Sequence, residues 1–183
     1  MAESIEREIK LRFPGATEAR AAVIAAGALP LRERRLQNDC LLDTADMMLR
    51  RQRSALRVRI ESGRSLLTFK GPVQAAAIKV REEIETDVGD GLLLIKLFER
   101  MGFQPWFRYQ KYREEFSIGG CVVAVDETPV GTFVEIEGDE RGIAAVAETL
   151  GRGPGDYELQ SYHALYSDDC RRRGVAVTHM LFP

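Results

Sequence analysis

The sequence predicts an α+β fold in which a closed, eight-stranded antiparallel β-barrel is covered by helices on its outer side. Three observations predict it. About eight segments alternate apolar and charged residues with the period of two that a β-strand imposes. Turns of hairpin length join most of these segments, which favours antiparallel pairing. Each strand has one charged and one apolar face, so a sheet that packs its apolar face under helices must enclose the charged one.

The first strand shows the pattern most clearly. Glu6, Glu8 and Lys10 share one face, whereas Ile9 and Leu11 point to the other. A single strand of this kind usually turns its charged face to water. The same spacing recurs in later strand-like segments, and this repetition favours a charged interior.

The first half of the chain combines strands with one helix and one helical turn. Pro14-Gly15 ends the first strand, and Thr17 can cap the helix that follows, which stops at Gly27. The turn Ser62-Gly63-Arg64 joins two alternating segments and is a hairpin signal; Gly71-Pro72 ends that hairpin. The predicted segments are a helix over 18–26, a strand over 31–44, a helical turn over 46–51, and strands over 54–61, 65–70 and 78–88.

The second half adds three strands and three helices. Apolar residues at helical spacing predict a helix that stops at Gly102. Gly119-Gly120 predicts a hairpin, and Pro129 precedes the last strand. The predicted segments are helices over 92–101, 141–150 and 158–173, and strands over 103–118, 121–126 and 131–138.

Length and composition predict a single cytoplasmic domain over residues 1–183. The chain is 45% hydrophobic and 30% charged, and no apolar run approaches the length that spans a membrane. A net charge of -2 gives no overall attraction to nucleic acid or to an anionic membrane. Three cysteines without metal or disulfide spacing are expected to be reduced, and two distant histidines disfavour a histidine metal site. The sequence leaves open whether the chain is a monomer or a homodimer.

The residues predicted to face inward are balanced in charge. The inward acids are Glu6, Glu8, Glu83, Glu85, Asp126, Glu135 and Glu137. The inward bases are Lys10, Arg57, Arg59, Lys70, Arg81, Lys111 and Arg113. Because buried charge is costly unless it is paired or binds a metal, an interior of this composition predicts a ligand site.

The chemistry of these groups indicates the ligand. Paired carboxylates supply the hard oxygen ligands that Mg²⁺ and Mn²⁺ prefer, and arginine and lysine suit phosphate oxygens. Two divalent ions would add about four positive charges, and a triphosphate carries about four negative ones. The balance favours a tri- or polyphosphate chain over a neutral or monophosphate ligand.

The motifs resemble one family, the CYTH domain of the triphosphate tunnel metalloenzymes. The resemblance begins at Glu6-x-Glu8-x-Lys10 and reaches Ser161-Tyr162. Between these ends it is carried by Leu41-Leu42-Asp43-Thr44, Leu56-Arg57-Val58-Arg59, Thr68-Phe69-Lys70-Gly71-Pro72, Arg81-x-Glu83-x-Glu85, Lys111-x-Arg113, Asp126-Glu127 and 131–137. It implies that Glu6, Glu8, Glu135 and Glu137 hold Mg²⁺ or Mn²⁺, that Glu83, Glu85 and Asp126 share it or serve a second ion, and that the seven bases hold phosphate.

The resemblance makes metal-dependent hydrolysis of a triphosphate the leading hypothesis, with Lys10, Lys111 and Arg113 as catalytic residues. The substrate would be inorganic tripolyphosphate, thiamine triphosphate or a nucleoside triphosphate. One alternative is a class IV adenylyl cyclase that converts ATP to cyclic AMP and pyrophosphate. Another is a polyphosphate-binding module without activity. The triplet 171–173, Arg-Arg-Arg, is explained by a solvated helix end.

Overall fold

The computed structural model describes residues 4–183 as an α+β fold with nine strands and five α-helices. The strands are β1 (Ser4–Phe13), β2 (Leu29–Thr44), β3 (Ala55–Glu61), β4 (Arg64–Lys70), β5 (Lys79–Val88), β6 (Phe103–Ile118), β7 (Cys121–Thr128), β8 (Gly131–Glu137) and β9 (Tyr157–Glu158). The helices are α1 (Ala16–Ala25), α2 (Met48–Arg51), α3 (Gly91–Arg100), α4 (Glu140–Thr149) and α5 (Tyr162–Arg173).

Eight of the strands form a closed antiparallel barrel in the order β1-β5-β4-β3-β2-β6-β7-β8, which confirms the predicted architecture. Strand β1 closes it, because one edge pairs with β8 and the other with β5. The two-residue strand β9 pairs with Lys10 and Leu11, beyond the point where β5 leaves that edge. Strand β1 therefore has partners along nearly its whole length.

The apolar core lies outside the barrel, between the strands and the helices. Ile9, Leu11 and Ile136 are completely buried there, with Val23 of α1 and Ile143 of α4. Smaller apolar clusters lie under α3 and α5. Full burial of each such side chain stabilises the fold by about 1.5–3 kcal/mol. The charged face of each strand is thereby left to line the interior.

Helix α5 fills part of one end of the barrel. Phe107 and Phe133 lie on the same strand faces as Lys111 and Glu135, so they point inward. Both pack against α5: the ring centroids of Phe133 and Tyr162 are 5.5 Å apart, and Phe107 shares a buried cluster with Tyr162. At this end, aromatic residues replace the charges that line the rest of the interior.

The start of the last helix was predicted wrongly. A 3₁₀ turn over Pro154–Asp156 precedes the predicted helix 158–173, β9 includes its first residue, and residues 159–161 are not helical. Helix α5 begins only at Tyr162, where the Ser161 hydroxyl accepts a hydrogen bond from the backbone of Ala164 at 3.2 Å. The preceding residues instead extend the sheet beside β1.

The cap of the first helix was also predicted wrongly. Thr17 lies inside α1, and Gly15 holds the N-cap position without a side-chain cap. The backbone of Ala19 already donates to the Gly15 carbonyl at 3.0 Å, so the helix starts directly after the bend at Pro14-Gly15. The remaining boundaries lie within about two residues of their predicted positions.

Two features of the composition are reflected in the structure. All three cysteines are free and buried, as expected. None of the helices in the described range, 4–183, combines the length and the apolar character that crossing a membrane requires. Cellular location and oligomeric state stay predictions.

Candidate functional site

A cavity of about 580 Å³ occupies the interior of the barrel. All of the charged residues predicted to face inward line it, with the exception of Asp126. They come from β1, β3, β4, β5, β6 and β8, so residues that are far apart in sequence meet in one space. The period of two along each strand, together with barrel closure, accounts for this convergence.

One wall of the cavity carries most of the carboxylates. It is formed by the neighbouring strands β5, β1 and β8, and we call it the acid wall. Its members are Glu83 and Glu85 from β5, Glu6 and Glu8 from β1, and Glu135 and Glu137 from β8.

The opposite wall carries arginine and lysine, and we call it the basic wall. Arg57 and Arg59 come from β3, and Lys111 and Arg113 come from β6. These two strands flank β2, which lies four strands from β1 in the closed order and therefore across the barrel from it. A ligand in the cavity lies between carboxylates on one side and cations on the other.

Glu137 is the carboxylate with the least compensation on the acid wall. It stands directly opposite Glu8 in the β1–β8 register, a like-charge arrangement that destabilises an antiparallel pair. Within residues 4–183 its side chain makes no ion pair or hydrogen bond. Partial desolvation and the negative charges of Glu6, Glu8 and Glu83 raise the pKa of Glu137 to about 7. A cation bound beside it would relieve this repulsion.

Two carboxylates of β1 and β5, Glu6 and Glu83, are held by cations. Glu6 accepts hydrogen bonds from Lys70 and Arg81, both at 2.7 Å. Burial and Glu8 act to raise the pKa of Glu6, but the charges of Lys70 and Arg81 outweigh them and lower it to about 2. Glu83 also pairs with Lys70, although its burial raises its pKa. Both carboxylates thus contact cations that a metal ion would have to displace.

Lys10 lies between two carboxylates of the acid wall. Its ammonium lies 3.1 Å from Glu8 and 3.5 Å from Glu135, and only 2% of its side chain is exposed. Burial acts to lower the pKa of Lys10, but these carboxylates raise it above its usual value. Lys10 therefore carries a full positive charge in a place where little water competes for it.

Lys111 and Arg113 are positioned from behind by Asp126. The Asp126 carboxylate accepts hydrogen bonds from Lys111 at 2.8 Å, from Arg113 at 2.7 Å and from the Tyr162 hydroxyl at 2.7 Å. Its side chain is completely buried. The metal-ligand role that the resemblance implies for Asp126 stays a prediction, but these contacts indicate a positioning role. Burial, and then the charge of Arg113, lowers the pKa of Lys111 to about 8.

Four residues of the site were missed in the sequence. Asp39 is completely buried and holds Arg59 through two hydrogen bonds of 2.8 and 3.2 Å. Lys79 pairs with Glu8, and Gln37 donates to Glu61. The period of two could have found them, since Lys79 lies two residues before Arg81 and Glu61 two after Arg59. On β2 the signal is weak, because the run Cys40-Leu41-Leu42 interrupts the alternation.

Two buried polar atoms on the cavity wall have no hydrogen-bond partner in the described part of the chain. They are Nε of Arg57, a donor, and Oε1 of Gln37, an acceptor. Since buried polar groups are nearly always satisfied, these atoms point to a partner that enters the cavity.

The acid wall has the chemistry of a site for a hard divalent cation. Its donors are carboxylate oxygens, and the opposed pair Glu8 and Glu137 leaves negative charge uncompensated. In residues 4–183 no three acidic, histidine or cysteine side chains are already grouped as a metal-binding cluster. Binding would exchange some lysine and arginine contacts of Glu6 and Glu8 for contacts with the ion.

Fold and site together define a closed antiparallel barrel that encloses a cavity with opposed acid and basic walls. The particular family follows from comparison with known proteins. The model of the CYTH domain family matches residues 4–161, and the chain belongs to that family.

The chain is also similar to an individual protein with a provisional name. A protein of Methanocaldococcus jannaschii, provisionally named an adenylate cyclase, is 30% identical over 106 residues, which cover 57% of this chain and 61% of the relative. The alignment thus spans about three fifths of that protein's length.

Two solved structures show the same fold. One is a provisionally named adenylate cyclase of Vibrio parahaemolyticus, with 22% identity, a TM-score of 0.76 and coverage of 91% of this chain and 99% of the other. The second is a provisionally named adenylyl cyclase of Hippeastrum, described as having a dominant triphosphatase activity. It has 21% identity, a TM-score of 0.66 and coverage of 94% and 97%. At these identities the likeness concerns the fold alone.

Proposed function

We propose that the protein is an enzyme that hydrolyses a triphosphate bound along its tunnel, with a divalent cation on the acid wall. The observation that carries this proposal is the placement of two opposed, oppositely charged walls around one cavity. Such a cavity matches a ligand that is itself strongly anionic and that brings cations with it.

The basic residues would bind the phosphate oxygens. Within residues 4–183, Arg57 offers an Nε–H that makes no hydrogen bond, and Lys10 and Lys111 offer ammonium groups that are almost completely buried. Charge-assisted hydrogen bonds of this kind are roughly twice as strong as neutral ones. The proposed phosphate-binding set is Lys10, Arg57, Arg59, Lys70, Arg81, Lys111 and Arg113.

The acid wall would hold Mg²⁺ or Mn²⁺, and the charge balance allows two ions. Glu6, Glu8, Glu83 and Glu137 are the first candidates as ligands, since they surround the uncompensated charge. Glu85 and Glu135 are further candidates, although each is now paired with an arginine. When bound, such an ion neutralises phosphate charge and lowers the pKa of its water.

The reaction would be displacement at the terminal phosphorus. A water oxygen gives up a proton to solvent and forms a bond to that phosphorus as the bond to the bridging oxygen breaks. The electron pair goes to the bridging oxygen of the departing diphosphate, which is pyrophosphate from tripolyphosphate, thiamine diphosphate from thiamine triphosphate and ADP from ATP. Lys10, Lys111 and Arg113 would stabilise the negative charge that develops on these oxygens. Lys111, with a pKa of about 8, is mainly protonated at neutral pH and can donate.

A second candidate function is adenylyl cyclase activity. The name of the Methanocaldococcus jannaschii relative, at 30% identity, favours it. In that reaction the ribose 3′-oxygen of ATP attacks the α-phosphorus and pyrophosphate leaves. The same two walls would serve both reactions, which differ in the phosphorus atom that stops beside the catalytic groups.

Product analysis tests the proposal. The protein is incubated with Mg²⁺ or Mn²⁺ and with tripolyphosphate, thiamine triphosphate or ATP, and phosphate, ADP and cyclic AMP are measured. We expect phosphate release that chelation with EDTA abolishes. Cyclic AMP would identify the cyclase instead, and tight binding without any product would identify a binding module.

A matched pair of variants tests whether the acid wall is responsible. Glu8→Gln should reduce turnover by about 100-fold or more, since it removes a proposed metal ligand. Glu148→Gln makes the same change on the exposed face of α4 and should leave turnover intact. Equal activity of the two variants would contradict the proposal.

A further inference from the structure

Gln37 has a buried hydrogen-bond acceptor that the protein's own contacts do not use. The residue is 1% exposed and lines the cavity from β2, between β3 and β6. Its Nε2 donates to Glu61, whereas its Oε1 makes no hydrogen bond within residues 4–183. An ionised carboxylate can only accept hydrogen bonds, so the amide nitrogen must face Glu61 and the amide oxygen must point away from it.

Glu61 is ionised at neutral pH and therefore fixes the orientation of this amide. It accepts hydrogen bonds from Arg32 at 2.8 Å and from Arg35 at 3.0 Å, and it is 2% exposed. Burial acts to raise the pKa of Glu61, but the hydrogen bonds from Gln37 and Arg32 outweigh burial and lower it to about 2. The Gln37 amide thus keeps one orientation, with Oε1 available to a ligand.

Gln37 lies beside the cations that we propose act on the terminal phosphate. It stands directly opposite Lys111 in the β2–β6 register. Two residues before it on β2, Arg35 stands opposite Arg113. Side chains opposite each other in an antiparallel pair have Cβ atoms about 4.5–5.5 Å apart. The unused acceptor is therefore next to the proposed reaction centre.

A phosphate oxygen cannot be the partner of Oε1. The oxygens of an ionised triphosphate accept hydrogen bonds and do not donate them. The neighbouring cations have carboxylate partners: Lys111 donates to Asp126 at 2.8 Å. Arg35 donates to Glu61 and, at 2.7 Å, to Glu115. A water molecule has two O–H donors and fits between an amide oxygen and a phosphate.

The reaction needs a water at this end of the phosphate chain. In-line displacement requires the attacking oxygen to lie on the side of the phosphorus opposite the bridging oxygen. Gln37 pairs with Glu61, the last residue of β3, whereas Arg59 and Arg57 lie two and four residues further from that end. A chain that runs along these arginines to Lys111 therefore presents its terminal phosphorus toward Gln37. A glutamine amide orients the attacking water in other phosphoryl-transfer enzymes.

We propose that Gln37 binds the attacking water through Oε1 and directs it at the terminal phosphorus, and that Glu61 positions the amide. This inference rests on the proposed triphosphate hydrolysis and deepens it by assigning one more catalytic residue. The water oxygen forms the bond to phosphorus as the bond to the bridging oxygen breaks. An amide oxygen is too weakly basic to take the proton, which passes to solvent. Gln37 therefore acts on turnover and has no part in holding the phosphate chain.

The kinetics of two matched variants test the inference. Gln37→Met keeps the length of the side chain and removes the amide, so it should reduce kcat for tripolyphosphate with Mg²⁺ by about 100-fold, the effect of a misplaced reactant. The Kd of a methylene-bridged tripolyphosphate analogue, measured by calorimetry, should stay unchanged. Gln104→Met makes the same change at an exposed position of β6 and should leave kcat unchanged. An unchanged kcat in Gln37→Met, or a parallel loss of kcat and of analogue binding, would overturn the inference alone.

Two further measurements complete the test. Gln37→Met should slow hydrolysis of ATP by the same factor, and a loss confined to ATP would show that Gln37 binds a ribose hydroxyl instead of the water. A crystal structure of the unaltered protein with Mg²⁺ and the analogue should show a water about 2.7–3.2 Å from Oε1 and in line with the terminal phosphorus. The absence of that water would also overturn the inference. Failure of the unaltered protein to hydrolyse any triphosphate would overturn the proposed function and the inference together.

Discussion

Asp39 is a completely buried carboxylate whose partners are the arginines of the basic wall. Besides the two hydrogen bonds from Arg59, its oxygen lies 3.5 Å from Nε of Arg57. These positive charges act against the effect of burial and lower the pKa of Asp39. Since the removal of one partner from a buried ion pair leaves an uncompensated charge, Asp39 stabilises the fold and also fixes two proposed phosphate ligands.

Replacement of Asp39 tests this double role. Asp39→Asn should reduce the free energy of unfolding by about 3 kcal/mol, the usual cost of breaking a buried pair. It should also weaken tripolyphosphate binding. Asp87→Asn is the control, because Asp87 pairs with Arg64 on the exposed surface and its loss should leave stability unchanged. Urea denaturation measures the stability of the two variants, and calorimetry measures how tightly they bind tripolyphosphate. Equal stability of the two variants would contradict the stabilising role of Asp39.

Glu137 makes stability depend on pH in a defined direction. Its pKa is raised from 4.5 in the unfolded chain to about 7 in the folded protein, so between these values the folded state binds more protons. Stability from this group is therefore present below pH 4.5 and lost as the pH rises through 7. Without metal, Glu137→Gln should raise Tm clearly at pH 8 and only slightly at pH 5. A thermal scan at the two pH values checks this, and an equal Tm difference at both would argue against it.

At the scale of residues, the sequence could predict which face of a strand each side chain lies on. It could not predict whether that side chain reaches the cavity or lies behind its wall. The period of two placed Glu6, Lys10, Arg57 and their counterparts on the cavity wall, because strand geometry fixes the direction of each side chain. It could not show that Asp126 lies behind Lys111 and Arg113, since that depends on the approach of Tyr162 from α5. It missed Asp39 because β2 does not alternate cleanly.

At the scale of elements, α5 supports the basic wall through one hydroxyl. Tyr162 donates to Asp126, and its ring lies 5.4 Å from the ammonium of Lys10 and 5.0 Å from that of Lys111. The exposed arginines at the other end of α5 pair with Asp168 and Asp169 of the same helix. The first turn of α5 therefore contacts the site. The start of this helix is also the boundary that was predicted wrongly.

Removal of the Tyr162 hydroxyl measures how much its hydrogen bond to Asp126 stabilises the fold. Tyr162→Phe should lower the free energy of unfolding by about 1.5–3 kcal/mol, since a hydrogen bond to a buried charged group is lost while the ring still packs on Phe133. Tyr157→Phe is the matched control, because in residues 4–183 the Tyr157 hydroxyl makes no hydrogen bond. Equal effects on urea denaturation would show that the hydroxyl gives no support.

Elements were predictable where the signal is local. Gly119-Gly120 and the turn over 62–64 join strands at the predicted places. A tight turn depends only on the types of a few adjacent residues, so the sequence identifies it directly. Strand β9 and the bulge at Trp106 were not predictable, since both depend on partners elsewhere in the chain. The bulge is also what brings Trp106 to the cavity.

At the scale of the whole molecule, closure of the barrel brings two oppositely charged walls together around one cavity. The acid and basic walls face each other only because β1 pairs with both β5 and β8. In the described chain without ligand, carboxylates of the acid wall pair with cations of the basic wall, for example Glu85 with Arg57 and Glu135 with Arg113. A triphosphate alone would take cations away from the acid wall, and a metal alone would take carboxylates away from the basic wall.

The two ligands should therefore bind cooperatively, and thermal unfolding shows this directly. A ligand present at 100 times its Kd stabilises the native state by about 2.7 kcal/mol. Mg²⁺ alone and tripolyphosphate alone should each raise Tm by little, and both together by clearly more than the sum of the two. Glu8→Gln should abolish the excess, whereas Glu148→Gln should keep it. Additive Tm shifts in the unaltered protein would contradict this prediction. They would mean that the wall charges freed when one ligand binds are not neutralised by the other ligand.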